Sequence, residues 1–171
     1  MKQLKILSSA SWQICTAETL RQFMHLDDGA DIETLEYYIS VATSLFEDMT
    51  HHIIQEKHYQ LTYDTLDRID IPLVQHPLQE VIAVWMDERL LLPDTYHVHE
   101  GRIYLSECCD YPITVEYKAG YASADDVSIG LKHILMMCAA DLYLYRLGGE
   151  AHYHFSDRIN HLISQFQFKS I

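Results

Sequence analysis

The sequence predicts an α+β fold: mainly a helical bundle, with two N-terminal helices, one long apolar helix and one C-terminal helix, into which an antiparallel β-meander is inserted. Three observations lead there. Apolar residues recur at three- and four-residue spacing from Ile32 to Met49. The period changes to two between Ile53 and Lys118, and returns to helical spacing from Ser128 onward. The 171 residues fit one domain spanning 1–171, with helices over about 16–50 and 128–166 and the β insertion over about 53–118.

The first helix starts after Thr16, a hydroxyl residue suited to the N-cap, and runs to about Leu26. Asp27-Asp28-Gly29-Ala30 reads as a turn, and Asp31 caps the second helix. Ile32, Leu35, Tyr38, Ile39, Ala42, Leu45, Phe46 and Met49 form its apolar stripe, with Glu33, Glu36, Ser40, Ser44, Glu47 and Asp48 opposite. Tyr37 and Val41, one turn apart on the polar side, serve no internal core. In the β region Tyr59, Leu61 and Tyr63 alternate with polar neighbours, as do Tyr96 and Val98, and Ile113, Val115 and Tyr117. Val81 to Met86 is apolar on both faces and reads as a buried central strand, giving five or so strands in all. Ala119-Gly120-Tyr121 then turns the chain from the sheet into a helix that Ser128 can cap. Gly148-Gly149 ends that helix, and Ser156 can cap a last one carrying Ile159, Leu162, Ile163 and Phe166.

Composition narrows the function. Apolar content of 49% and charged content of 22% suit a globular chain. Twelve basic residues against 25 acidic ones leave a net charge of −13, which argues against gripping nucleic acid, since phosphate binding needs clustered Lys and Arg. Four cysteines with no Cys-x-x-Cys pair suggest reduced thiols, not a disulfide framework. The N-terminal segment makes a poor secretion signal, and the longest apolar run, Ile134 to Ala140, falls well short of the ~20 residues needed to cross a bilayer. A soluble protein with no membrane contact is expected.

No catalytic constellation emerges: no His-Glu-x-x-His helix, no Gly-x-Ser-x-Gly elbow and no glycine-rich phosphate loop. Asp27-Asp28 and Asp125-Asp126 flank helix starts, where capping accounts for them. The reading is therefore of no enzyme, no catalytic residues, no metal and no cofactor. One alternative keeps a metal- or ligand-binding protein in view. His97 and His99 share a strand face, His58 or Glu116 on a neighbouring strand could join them, and His152-x-His154 offers a second pair.

From Leu131 to Leu147 the helix carries only Lys132, His133, Asp141 and Arg146 as polar residues besides tyrosines, and these define no polar face. Such a helix must be covered on most sides, either wholly by its own chain or in part by a neighbouring subunit. Several motifs now fall in order: Thr16-Ala17-Glu18-Thr19-Leu20, Leu26-Asp27-Asp28, the turn Glu47-Asp48-Met49-Thr50, "HYQLTYD", "IDIPLVQHPLQEVIAVW", "PDTYHVHEGRIYL", and "VEYKAGYASADDVSIGLKHILMMCAADLYLYR" with its Tyr-x-x-Arg end. In that order and spacing, over residues 16 to 147, the chain resembles the head–tail connector proteins of long-tailed phages and prophages. These are also called adaptor, head-completion or DNA-packaging proteins. Many relatives carry a proline where Ser128 follows Val127 here.

The resemblance implies a structural protein of the virion neck, made in the host cytoplasm. Its partners would be copies of itself in a ring of about twelve, the portal protein, and head-closure or tail-completion proteins, with DNA passing through unbound. The residues expected at such contacts are Tyr37, Val41, Tyr143 and Arg146 on the helices. The C-terminal segment would engage the portal through Phe155, Ile159, Phe166 and Phe168.

Overall fold

The computed structural model describes residues 2–64, 69–106, 111–145 and 155–167. They fall into two compact units, each built from two stretches of chain: Met1–Ser11 with Gln55–Ala122, and Trp12–Ile54 with Ser123–Ile171.

The first unit holds the strands. β1 (Lys2–Ser9), β2 (Lys57–Tyr63), β8 (Ile113–Ala119), β4 (Leu78–Met86) and β5 (Arg89–Leu90) form one sheet in that spatial order, and each of its paired neighbours is antiparallel. β3 (Asp70–Pro72), β7 (Arg102–Leu105) and β6 (Tyr96–His99) form a second. Alternation does in the large sheet what it should. Tyr59 and Leu61 of β2 stand opposite Tyr117 and Val115 of β8, and all four are buried. The Tyr59 and Tyr117 rings stack at 5.4 Å, and burial pushes the Tyr117 phenol above its ordinary range. Ile71, Ile103 and Leu105 are the buried residues of the small sheet. Gly120 closes the unit at φ +105, where a Cβ would lie 2.7 Å from the Gln55 carbonyl oxygen; its N–H donates to the Pro77 carbonyl at 2.9 Å. Only glycine fits there.

The second unit holds α1 (Ala17–Phe23), α2 (Ile32–Thr50), α3 (Ile129–Tyr145) and α4 (Asp157–Ser164). The Thr16 hydroxyl accepts the Thr19 N–H, and the Asp31 carboxylate accepts the Glu33 N–H, so both expected caps form. The Ser128 hydroxyl likewise accepts the Leu131 N–H at 3.3 Å. Leu35, Ile39, Ala42 and Phe46 of α2 are buried, as are Leu131, Ile134, Leu135, Cys138 and Ala139 of α3. α2 ends on His51 in the left-handed region, and the Glu47 carboxylate folds back to accept the Ile54 N–H at 2.8 Å. Glu47 was expected on the polar face; its burial comes from that bond, which satisfies a backbone donor otherwise stranded beside a helix end. The side chain of Ser156 makes no cap. Its N–H instead donates to the Asp141 carboxylate at 3.2 Å, tying the start of α4 to α3.

The expected architecture, mainly a helical bundle around a long apolar helix with an inserted meander, is overturned. Among the described residues strand and helix are nearly equal, at 32% against 36%, in four α-helices, one short 3-10 helix and two antiparallel sheets of eight strands, an α+β fold and not a bundle. Nor does the long helix lack an outer side. α3 buries one stripe, while Met136, Met137, Ala140 and Leu142 are half-buried and Ile129, His133, Leu144 and Tyr145 are exposed. The large sheet is no simple meander either, because β8 lies between β2 and β4. The central strand is β8, and β4 sits next to the edge with Ile82 exposed, although its sequence is the more apolar. β1 extends the sheet from an N-terminal segment given no element by the sequence reading. No helix of the described residues is long and apolar enough to cross a membrane.

Candidate functional site

At one end of the helical unit, where α2 begins and α3 finishes, aromatic residues collect. Tyr37 meets Tyr38 edge to face at 5.3 Å, and Tyr38 meets Tyr143 of α3 at 5.9 Å. Tyr38 and Tyr143 are half-buried, but Tyr37, Leu144 and Tyr145 are 59%, 66% and 71% exposed. Val41, one turn on from Tyr37, is half-buried. Tyr37 and Val41 are legible in the sequence because they sit off the core stripe of α2; Leu144 and Tyr145 are not, because the α3 sequence has no polar side to set them against.

The C-terminal candidates are placed differently. Phe155 and Ile159 are buried in their own unit, and the Phe166 ring lies 5.8 Å from Phe46 and 5.5 Å from His52. Those three side chains therefore pack on the helices beside them. Arg146 and Phe168 lie outside the described residues, as does the His152 and His154 pair.

The histidines do not gather. His97 stacks on Tyr104 at 4.8 Å, and exposed His99 comes within 3.8 Å of the Glu100 carboxylate, both in the small sheet. His58 and Glu116, the suggested third ligand, belong to the large sheet. There the His58 Nε2 stands 3.5 Å from a Glu116 oxygen, too far for a hydrogen bond. Gln60 donates to the other Glu116 oxygen at 3.0 Å. Among the described residues no three His, Cys, Asp or Glu side chains converge as a metal site would need. That the two sheets are separate could not be read from alternation, which gives a strand's face and not its neighbours.

The large sheet offers surfaces at both edges. β1 is exposed along its whole length and turns Leu4, Ile6 and Leu7 to solvent. At the other edge Leu90 of β5 is exposed, and near the β4–β5 turn a groove across the face of β2, β8 and β4 is lined by Gln60, Trp85, Asp87, Glu88, Pro112, Thr114 and Glu116. Neither surface was anticipated. The alternation Gln3, Leu4, Lys5, Ile6 was the available signal for β1. The hairpin from β4 to β5 gave none, because its two turn residues, Asp87 and Glu88, stand at φ 48 and 64 without the usual Asn or Gly.

Comparison with known proteins places the fold. No protein-family model matches the sequence, and no curated protein does. Among solved structures, a chain from the virion of a native gene transfer agent (GTA) particle is similar over 99% of this chain and 97% of its own, with a TM-score of 0.78 at 16% identity. A chain from the neck of an empty GTA particle, computed with C6 symmetry, aligns over the same shares, with the same score and identity. One from the neck of the native particle, computed with C12 symmetry, covers 98% of this chain and 97% of its own at a TM-score of 0.67 and 16% identity.

Proposed function

We propose that this chain is a structural subunit of the neck of a phage-like particle, a ring-forming connector beneath the portal that extends the DNA channel and carries head-closure or tail proteins. The observation that carries this is the end-to-end likeness of the fold to chains of a GTA virion and of GTA necks, with both chains matched almost completely. The sequence resemblance to head–tail connectors supports the same reading, and arises from the order of motifs rather than from backbone shape. The reading is of a scaffold without chemistry of its own.

Physical features suit the role. A ring subunit needs two different apolar faces, because a heterologous contact presents unlike surfaces to its two neighbours. The chain has more than one such surface: the tyrosine end of the helical unit and the edges of the large sheet. A net charge of −13 offers DNA phosphates little to hold, which suits a channel wall past which DNA must slide. The portal and head-closure proteins are the partners this position implies. Phe155, Ile159 and Phe166 would reach a portal only if α4 left its own unit, so Tyr37, Val41 and Tyr143 with Leu144 and Tyr145 are the stronger candidates for contact.

Electron microscopy of the concentrated protein, alone and mixed with the portal ring of its own particle, tests the proposal. Rings of uniform symmetry, or a collar seated on the portal, are expected. A chain that stays monomeric at high concentration and does not bind the portal would refute it.

A further inference from the structure

The two edges of the large sheet differ in charge. β1 carries Lys2 and Lys5 next to Leu4, Ile6 and Leu7, in a chain with only twelve basic residues. Lys2 rests over the Tyr63 ring at 5.8 Å, and neither lysine has a carboxylate partner among the described residues. Across the sheet, the β4–β5 turn presents Asp87 and Glu88 beside Trp85 and Glu116, again with no cationic partner for Asp87 or Glu88 among the described residues. The other charges at this edge are Arg89, exposed on β5, and Glu80, already held by Lys118 at 2.9 Å. Both turn residues have positive φ, which Asp87 adopts as a common turn former and Glu88 adopts at a greater cost.

Strand direction adds a second argument. Three antiparallel steps separate β1 from β4, so the two run in opposite directions. β5 covers β4 only at Trp85 and Met86, leaving the outer side of Leu78 to Ala83 without a strand among the described residues. A second copy added head to tail in the same sense would bring its β1 alongside β4 antiparallel, continuing the alternation across the boundary. Two register breaks in β4, between Leu78 and Glu80 and between Val81 and Ala83, interrupt that edge. Main-chain pairing would therefore be short, and selection would fall to side chains.

We propose that neighbouring copies of this chain join through these edges, the basic, apolar β1 of one against the acidic β4–β5 edge of the next. This rests on the ring reading above and specifies its contact. The contact is heterologous, so it can close into a ring, and its charge pairs make assembly sensitive to salt.

The test compares four full-length samples by light scattering and electron microscopy, at the concentration, or on the portal, where the wild type forms rings: wild type, Lys2→Glu/Lys5→Glu, Asp87→Lys/Glu88→Lys, and an equimolar mixture of the two variants. Each variant alone should lose the ring while keeping the wild-type circular dichroism and melting temperature. The mixture should regain it, because alternating chains restore opposite charges at every boundary. Rings formed by either variant alone as well as by the wild type would overturn the edge contact and leave the ring reading standing. So would a mixture that stays unassembled, or a Lys2/Lys5 variant that rings normally but loses the portal. A wild type that never forms a ring would overturn both.

Discussion

Gly120 shows how much one position can demand. Its φ of +105 excludes side chains, and the Gln55 and Glu56 backbone passes where a Cβ would stand, within 2.7 to 3.0 Å. The Gly120 carbonyl also accepts the Gln79 side-chain amide at 2.7 Å, so the turn cannot relax away from the clash without losing a bond. Gly120→Ala should therefore cost about 2–4 kcal/mol, combining backbone strain with overpacking. A urea titration of the variant would show it as a lowered midpoint; an unchanged midpoint would mean that the 55–56 segment moves aside freely. The sequence reading took Ala119-Gly120-Tyr121 as the turn between sheet and helix. Its glycine was legible as a turn residue, but its contact with Gln55, 65 positions earlier in the chain, was not.

Among the elements, α3 is the one whose reading changed most. Its sequence has no polar side, yet only one stripe is buried, and Cys138 lies in the middle of that stripe. Burial, with a smaller contribution from the Asp141 carboxylate, pushes its thiol from 9.0 up to about 12. The sign follows from which state holds the proton more tightly. The folded state does, so this stabilisation is complete below pH 9 and is lost as pH rises toward about 12. Melting temperature should accordingly fall over that alkaline interval, and Cys138→Ala should flatten part of the fall. At pH 8 the native thiol should also resist alkylation, since the thiolate is the nucleophile and helix opening must come first. Peptide mass spectrometry after labelling with and without urea would check this. Equal labelling of Cys138 in both conditions would contradict the burial. Cys15, half-buried with its thiol pushed up to about 11, should react more slowly than a free cysteine.

For the molecule as a whole, the question is which exposed surfaces exist for partners. Among the described residues of the helical unit, Tyr37 and Tyr145 are the most exposed tyrosines. Tyr37→Asp combined with Tyr145→Asp should cost the fold no more than about 2 kcal/mol, from the lost Tyr37–Tyr38 ring contact and a carboxylate at the C-terminal end of α3. If the tyrosine end is a contact surface, the same double variant should lose ring formation or portal binding by at least tenfold. Wild-type assembly by the folded double variant would remove that surface from the proposed interface. The comparison with the charge variants at the sheet edges then separates the two units, since each carries its own candidate surface.

Local chemistry was legible from the chain alone. The stripe of Leu35, Ile39, Ala42 and Phe46, the caps at Thr16, Asp31 and Ser128, and the alternation of β2 and β8 each depend on residues within a turn or two of one another. The order of motifs led to the resemblance to head–tail connectors on which the proposed function draws. What lay beyond reach was pairing across long separations. Val81 to Met86 looks central because it is apolar, and the sequence reading gives the N-terminal segment that forms β1 no element. Hydrogen bonding to distant strands placed the first beside an edge and recruited the second to the sheet. The proportion of strand to helix and the separation of His97 from His58 were decided in the same way. So were the opposite charges of the two sheet edges. Hydrophobic period specifies which face of an element is buried, whereas the neighbour that buries it is chosen only when the whole chain competes for the same apolar surface.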